Sequence, residues 1–343
     1  MLKSKSASRR FSVFLLTAML FSVLPLSASA YGPITMFDPP SNYVDAGVFY
    51  GRAMQLSHNG VNNGKMYATF ERYTPNNVAP AFPIYESANS GESWTKVGEV
   101  VDTQNGWGMR FQPFLFELPQ AIGNLAAGTL LAIGNSIPAD YSATKIDLYK
   151  STDLGRNWTF VSSIATGGAS SMGGDPVWEP FLMVANNKLI VYYSDERDPA
   201  YPQKIVHQTS TDGLNWGSVV NDVALSGLRP GMPVVAKMAN GNYIMSYEIV
   251  GNGITSNYKI SSNPESWNAS DAGQIFSGGG SPYVNVLPNG NVILGDAASS
   301  DIYMNSNNGI WGWTRVPTPV SAGYSRALVP LSNGRLFIIQ AGN

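Results

Sequence analysis

Short apolar stretches rich in β-branched and aromatic residues recur along the chain in pairs, and a polar turn splits each pair. The turns are Asn63-Gly64, Ala127-Gly128, Asn186-Asn187, Asn240-Gly241, Asn289-Gly290 and Asn333-Gly334. Asn and Gly tolerate positive φ, which both positions of a two-residue hairpin turn require, so the pattern predicts six hairpins. No stretch sustains a 3.6-residue apolar period with caps, and long helices are not expected.

A second pattern alternates with the first. Its full form is Ser151-Thr152-Asp153-Leu154-Gly155-Arg156-Asn157-Trp158, and Ser87 to Trp94 repeats it with Asn89 for the Asp. Shortened forms end at Trp216 and Trp267, and a degenerate one ends near Trp313. The Asp or Asn can accept from local backbone amides while the Trp folds under the turn, so these tryptophans read as framework. Two hairpins per repeat make a four-stranded antiparallel sheet, and repeats of about 45 to 65 residues suit a propeller blade. The expected fold is therefore an all-β, six-bladed β-propeller spanning residues 31–343. The last hairpin, Arg326 to Gln340, has no outer partner in sequence, and Ile34-Thr35-Met36-Phe37 is expected to supply an N-terminal strand that closes the ring.

Composition narrows the chemistry. The 343 residues include 44% hydrophobic and 13% charged side chains, enough apolar material for a large core. Without Cys, disulfides, thiolate catalysis and Cys-bound metal are excluded. Two histidines, His58 and His207, argue against a histidine-rich metal centre, and no metal or cofactor is expected. Lys3, Lys5, Arg9 and Arg10 precede an apolar run from Phe11 to Leu26, and Ala28-Ser29-Ala30 follows. Residues 1–30 read as a secretory signal peptide rather than a membrane anchor, because Pro25 interrupts a short run. Its removal takes the net charge from −2 to −6, which disfavours nucleic acid as a partner. The mature protein is expected to be secreted, free of the membrane and monomeric.

The alternation of Ser-x-Asp-x-Gly-x-x-Trp boxes with Asn-Gly hairpins resembles the Asp-box, or BNR-repeat, sialidase-like superfamily of six-bladed propellers. In such a blade the start of the innermost strand and the end of its neighbour share one mouth of the channel. Aligning the inner strands by apolar pattern places Arg52, Gln112, Glu179, Met232, Ser281 and Arg326 at the starts. Counting seven residues on from each turn places Glu71, Asn135, Ser194, Glu248, Ala297 and Ala341 at the neighbouring ends.

Glu179 and Glu248, from adjacent blades, interrupt strongly apolar surroundings, where a carboxylate must be paired or have its pKa raised. Glycoside hydrolysis uses two carboxyl groups flanking the bond; the structural alternative is that each pairs with Arg52, Arg229 or Arg326. Asp195 and Arg197, past a strand end, are candidates for bonding sugar hydroxyls, and Trp107 and Tyr201 for stacking on a sugar face. The string Asp195-Glu196-Arg197-Asp198 lacks the Gly and spacing of a calcium loop.

The strings Trp-Glu-Pro-Phe-Leu at 178–182, Tyr-Tyr-Ser-Asp-Glu-Arg-Asp at 192–198 and Tyr247-Glu248 most resemble the exo-α-1,5-L-arabinanases of glycoside hydrolase family 93. That resemblance implies a retaining, two-glutamate release of arabinobiose from arabinan, a plant cell-wall polysaccharide. Glu179, flanked by Trp178, Pro180 and Phe181, becomes acid/base, and Glu248 the nucleophile. Arg52, Glu71, Gln112, Asp195, Arg197, Arg229, Tyr324 and Arg326 complete the substrate-binding set. Two rival readings remain at this stage. A sialidase would use Arg52, Arg229 and Arg326 as a carboxylate clamp, though Arg52-Ala53-Met54 departs from the Arg-Ile-Pro string of that family. A non-catalytic carbohydrate-binding propeller would need aromatic platforms and no carboxylate pair.

Overall fold

The computed structural model describes residues 31–44, 47–75 and 78–340. The expected signal peptide, and Ala341 among the strand ends, lie outside these residues. Among the described residues, twenty-two strands form six antiparallel sheets in strict chain order. The first holds β1 (Val48–Gln55), β2 (Met66–Arg72), β3 (Phe82–Ser87) and β4 (Thr95–Val100); the second holds β5 (Met109–Glu117), β6 (Leu130–Ser136), β7 (Thr144–Ser151) and β8 (Thr159–Gly167). The third comprises β9 (Val177–Ala185), β10 (Lys188–Asp195), β11 (Lys204–Ser210) and β12 (Val220–Val223). The fourth comprises β13 (Arg229–Lys237), β14 (Tyr243–Gly251), β15 (Gly253–Ser261) and β16 (Gln274–Ser277). The fifth contains β17 (Tyr283–Val286), β18 (Val292–Gly295), β19 (Ile302–Asn305) and β20 (Thr314–Val316), and the sixth only β21 (Ala327–Pro330) and β22 (Leu336–Ile339).

This is an all-β propeller of five four-stranded blades and a two-stranded sheet. The innermost strands β1, β5, β9, β13, β17 and β21 pack in sequence around a hub, and β21 meets both β17 and β1. The N-terminal closing strand is not formed: Ile34 to Phe37 carries no strand pairing. Phe37 instead stacks at 5.1 Å on Phe70 of β2, so burial of its ring directs this segment to the first blade.

Asn186-Asn187 is the two-residue turn the pattern predicts, with φ of 50° and 59°. At the other five turns the glycine takes positive φ and the residue before it does not, so the expectation of positive φ at both positions fails there. The Asn serves another purpose. The side-chain oxygens of Asn240, Asn289 and Asn333 each accept the N–H two residues on, at 3.0 to 3.1 Å, closing a longer loop in which Gly alone needs the left-handed region.

The boxes act as framework. Ser151 Oγ donates to Asp153 at 2.7 Å and accepts the Gly155 N–H at 2.9 Å. Trp158 donates its indole N–H to the Gly155 carbonyl at 3.0 Å, and Trp94 does the same to Gly91. These two boxes thus satisfy their turns internally, whereas the indole N–H groups of Trp216 and Trp313 donate outside their own turns, to Ser162 and Tyr258.

Candidate active site

A β-bulge breaks the ladder near the start of the inner strand in each of the first four sheets. At the hub, Tyr50, Gln112, Glu179 and Met232 within the inner strands, and Ser281 and Ser325 just before β17 and β21, take φ between 49° and 56°. For residues with side chains this region costs about 1–3 kcal/mol each, and a bulge leaves its extra residue unpaired in the ladder.

The preceding blade supplies the missing acceptor. Glu71 accepts the Gln112 N–H at 2.9 Å, and the Gln112 side-chain oxygen accepts the Glu179 N–H at 3.0 Å. Glu179 accepts the Met232 N–H at 2.7 Å, Glu248 the Ser281 N–H at 2.7 Å, and Ser281 Oγ the Ser325 N–H at 3.0 Å. Five blade-to-blade junctions are therefore closed by the same bond. Three of its acceptors are carboxylates; Glu179 and Glu248 are each held through one oxygen, and Glu71 also accepts from the Tyr73 hydroxyl through its second, at 3.5 Å.

Six residues precede these left-handed positions, four aromatic and two glycine. They are Phe49, Phe111, Trp178, Gly231, Gly280 and Tyr324. Across the ladder Phe49 pairs with Glu71, Phe111 with Asn135, Trp178 with Ser194 and Gly231 with Glu248, so the seven-residue count finds the end region of these four strands, while Ala297 falls two residues beyond β18. The two glycines accompany the two catalytic candidates. A Cβ on Gly231 would stand 3.1 Å from a Glu179 carboxylate oxygen, and one on Gly280 would stand 2.8 Å from that of Glu248.

These groups surround a cavity of about 620 Å³. Glu71, Gln112, Glu179, Arg229, Glu248 and Tyr324 line it, as expected from sequence, together with Tyr50, Trp178, Glu196 and Met172. Along one side Tyr324, Phe49, Tyr73 and Phe111 form a belt of ring contacts with centroids 5.5 to 6.0 Å apart. Such faces suit the apolar C–H surface of a sugar.

Burial controls the protonation of the carboxyl groups. It pushes Glu71 up to about 7, against the opposing pull of the Gln112 N–H and Arg52. Glu179 is raised by burial first and by the Glu248 charge second, while Ser194, at 2.6 Å, and the Met232 N–H favour its ionised form. Burial likewise raises Glu248, opposed by the Ser281 N–H and by Arg229. Two interacting buried carboxyls of this kind share one proton more readily than they carry two charges.

No ion pair with an arginine relieves either glutamate among the described residues. Arg229 pairs instead with Glu196, at 2.7 and 3.1 Å. Four of the expected substrate-binding residues, and both expected stacking aromatics, lie off the cavity. Arg52 is buried behind the hub, donating to the Ser325 carbonyl and hydroxyl at 2.8 and 3.0 Å and stacking 3.9 Å over the Tyr50 ring. Arg326 is fully buried and donates to the carbonyls of Ser300 and Asp301. Asp195 and Arg197 bond each other at 2.8 Å, with Arg197 turned to Tyr193 and the Thr166 carbonyl. Trp107 packs beside Lys145 and Tyr201 beside Lys204. A three-arginine carboxylate clamp is thus not assembled.

Glu196 escaped the sequence reading because it sits inside a charged string that reads as a solvated loop. Asp198 does behave so, pairing with Lys204 at 2.7 Å while partly exposed, whereas Asp195 is buried against Arg197. Tyr50 and Ser325 are offset from the expected Arg52 and Arg326 by two residues and one, since Tyr50-Gly51 and Ser325-Arg326 lack the Pro that follows the other four left-handed hub residues.

No protein-family model and no curated protein matches the chain. Solved structures do. An α-L-arabinanase of Penicillium chrysogenum, complexed with arabinobiose, is 43% identical with a TM-score of 0.85, covering 90% of this chain and 93% of its own. A GH93 α-L-arabinofuranosidase of Fusarium graminearum, also with arabinobiose, is 38% identical with a TM-score of 0.83, covering 90% and 91%. A variant of that Fusarium enzyme, with alanine for a glutamate, binds an iminosugar inhibitor and shows the same identity, coverage and TM-score. With that identity sustained over nine-tenths of its length, the chain belongs to glycoside hydrolase family 93.

Proposed function

We propose that the protein is a secreted exo-α-1,5-L-arabinanase that releases arabinobiose by a retaining mechanism. The observation that carries this reading is the pair Glu179 and Glu248: two buried carboxyls from adjacent blades in one cavity, each anchored through one oxygen and neither neutralised by arginine. The bound arabinobiose of the two relatives supports the choice of substrate.

Glu248 attacks the anomeric carbon while Glu179 gives its proton to the departing glycosidic oxygen, leaving an arabinobiosyl ester on Glu248. Glu179, now ionised, takes a proton from water, whose oxygen displaces Glu248 and restores both groups. The raised affinity of Glu179 for its proton suits the first step, and the Met232 N–H and Ser194 stabilise the charge it carries after it. Glu71, Gln112, Arg229 and Tyr324 contact the sugar hydroxyls and faces. The mechanism calls on no cofactor or metal.

In the same reading β21 and β22 stand as the sixth blade of a monomeric propeller, and residues 1–30 direct export. The test is incubation of the mature protein with linear arabinan, debranched arabinan and a sialyl-conjugate. Arabinobiose from the arabinans, lost in both Glu179→Gln and Glu248→Gln, is the expected result. Binding without turnover would instead favour a carbohydrate-binding propeller.

A further inference from the structure

Met172 is an anomaly of the cavity: it lines the wall, yet 79% of its surface is exposed. It sits at the tip of the segment joining β8 to β9, whose two limbs close on each other. Gly168 N–H donates to the Asp175 carbonyl at 2.8 Å and Gly174 N–H to Ser171 at 3.0 Å. A Cβ on Gly168 would stand 2.2 Å from the Gly174 carbonyl oxygen, so only glycine permits so narrow a loop. The tip is therefore held out over the cavity, an apolar side chain without an apolar neighbour to cover it.

One carboxylate fixes this tip to the wall below. Glu196, with a side chain 1% exposed, accepts the Gly173 N–H at 3.1 Å, the Trp178 indole N–H at 3.0 Å and two Arg229 N–H groups. Met172, Trp178 and Arg229 all line the cavity, and Glu196 makes them one rigid face. Trp178 immediately precedes Glu179. A group that protonates a leaving oxygen must lie on the side from which the leaving sugar departs.

We infer that Met172 forms the contact for the furanose residue on the departing side of the scissile bond, and that Glu196 is the positioning residue that holds it there. This rests on the proposed role of Glu179. The ligand is the continuing arabinan chain, whose apolar sugar face covers the exposed thioether and whose hydroxyls reach Arg229 at the same wall.

Two substrates that both release arabinobiose test it: arabinotetraose, whose departing group is a sugar, and methyl α-arabinobioside, whose departing group is methanol. The ratio of kcat/KM for the first to that for the second is the readout. In Met172→Ala it is expected to fall about 5- to 10-fold, and Met172→Leu to restore most of it. Glu196→Gln turns an amide donor toward donors; it is expected to lower the ratio, mainly through KM for arabinotetraose, and to add less than its full effect on top of Met172→Ala. A ratio unmoved by Met172→Ala, because both substrates weaken equally or neither does, overturns the inference. Failure of the wild-type protein to release arabinobiose from either substrate overturns the proposed function instead.

Discussion

Gly231 pairs with Glu248 across β13 and β14, and the side chain it lacks is the space into which the Glu179 carboxylate reaches from the neighbouring blade. A Cβ there would meet Gln203 Nε2 at 2.5 Å and Glu179 at 3.1 Å, while the backbone at Gly231 is not left-handed and accepts alanine. Gly231→Ala is therefore expected to fold with a loss of about 1–3 kcal/mol. Displacing the carboxylate by a fraction of an ångström should lower kcat at least about 10-fold. Denaturant unfolding and arabinan kinetics check the two parts separately.

The roles of the two glutamates are separable by azide. Glu248→Ala should yield arabinobiosyl azide of inverted configuration, because the anion replaces the nucleophile directly. Glu179→Ala should yield the retained azide, through the intact Glu248 ester. Proton NMR reads the configuration, and the opposite assignment of products would exchange the roles. Without azide each variant should lose about 10²–10⁴-fold or more in kcat on arabinan.

Glu71 connects pH to stability. Its ordinary value of 4.5 is pushed up to about 7 in the fold by burial, so the folded state favours the neutral acid. That contribution is complete below pH 4.5 and is lost as pH rises toward 7, about 3 kcal/mol in all. Glu71→Gln keeps an acceptor for the Gln112 N–H and removes the ionisation. Thermal unfolding at pH 4.5 and pH 8 should show the variant matching the wild type at the lower pH and exceeding it at the higher.

The boxes should affect stability without touching chemistry. Ser151→Ala removes the acceptor for the Gly155 N–H and the donor to Asp153 at a buried turn. A cost of about 1–2 kcal/mol follows, with kcat on arabinan within twofold of wild type. A large loss of kcat would mean that the outer turns reach the hub.

Much of this site could be read before any coordinates. Alternating apolar strands, Asn-Gly turns and indole-bearing boxes depend on bonds within a few residues, and those are written in adjacent letters. Counting outward from the turn sets Glu248 opposite Met232, and only the bulge between Gly231 and Val234 moves it to Gly231. The two glutamates stood out because charge inside an apolar run has few explanations.

What stayed hidden depended on neighbours distant in the chain. Arg52 and Arg326 have the composition of a ligand clamp, yet their guanidinium groups are consumed by carbonyls 273 and 25–26 residues away, at Ser325, Ser300 and Asp301. Glu196 stands in a charged string that reads locally as a solvated loop, and only the approach of Arg229 and Trp178 makes it a buried anchor. Nor does any local pattern announce that five of the left-handed hub residues donate to the blade before. Hairpins and turns are settled by local propensity and short loops; which polar atoms become partners is decided by how the blades close around the hub, since a buried donor takes whatever acceptor the packing delivers.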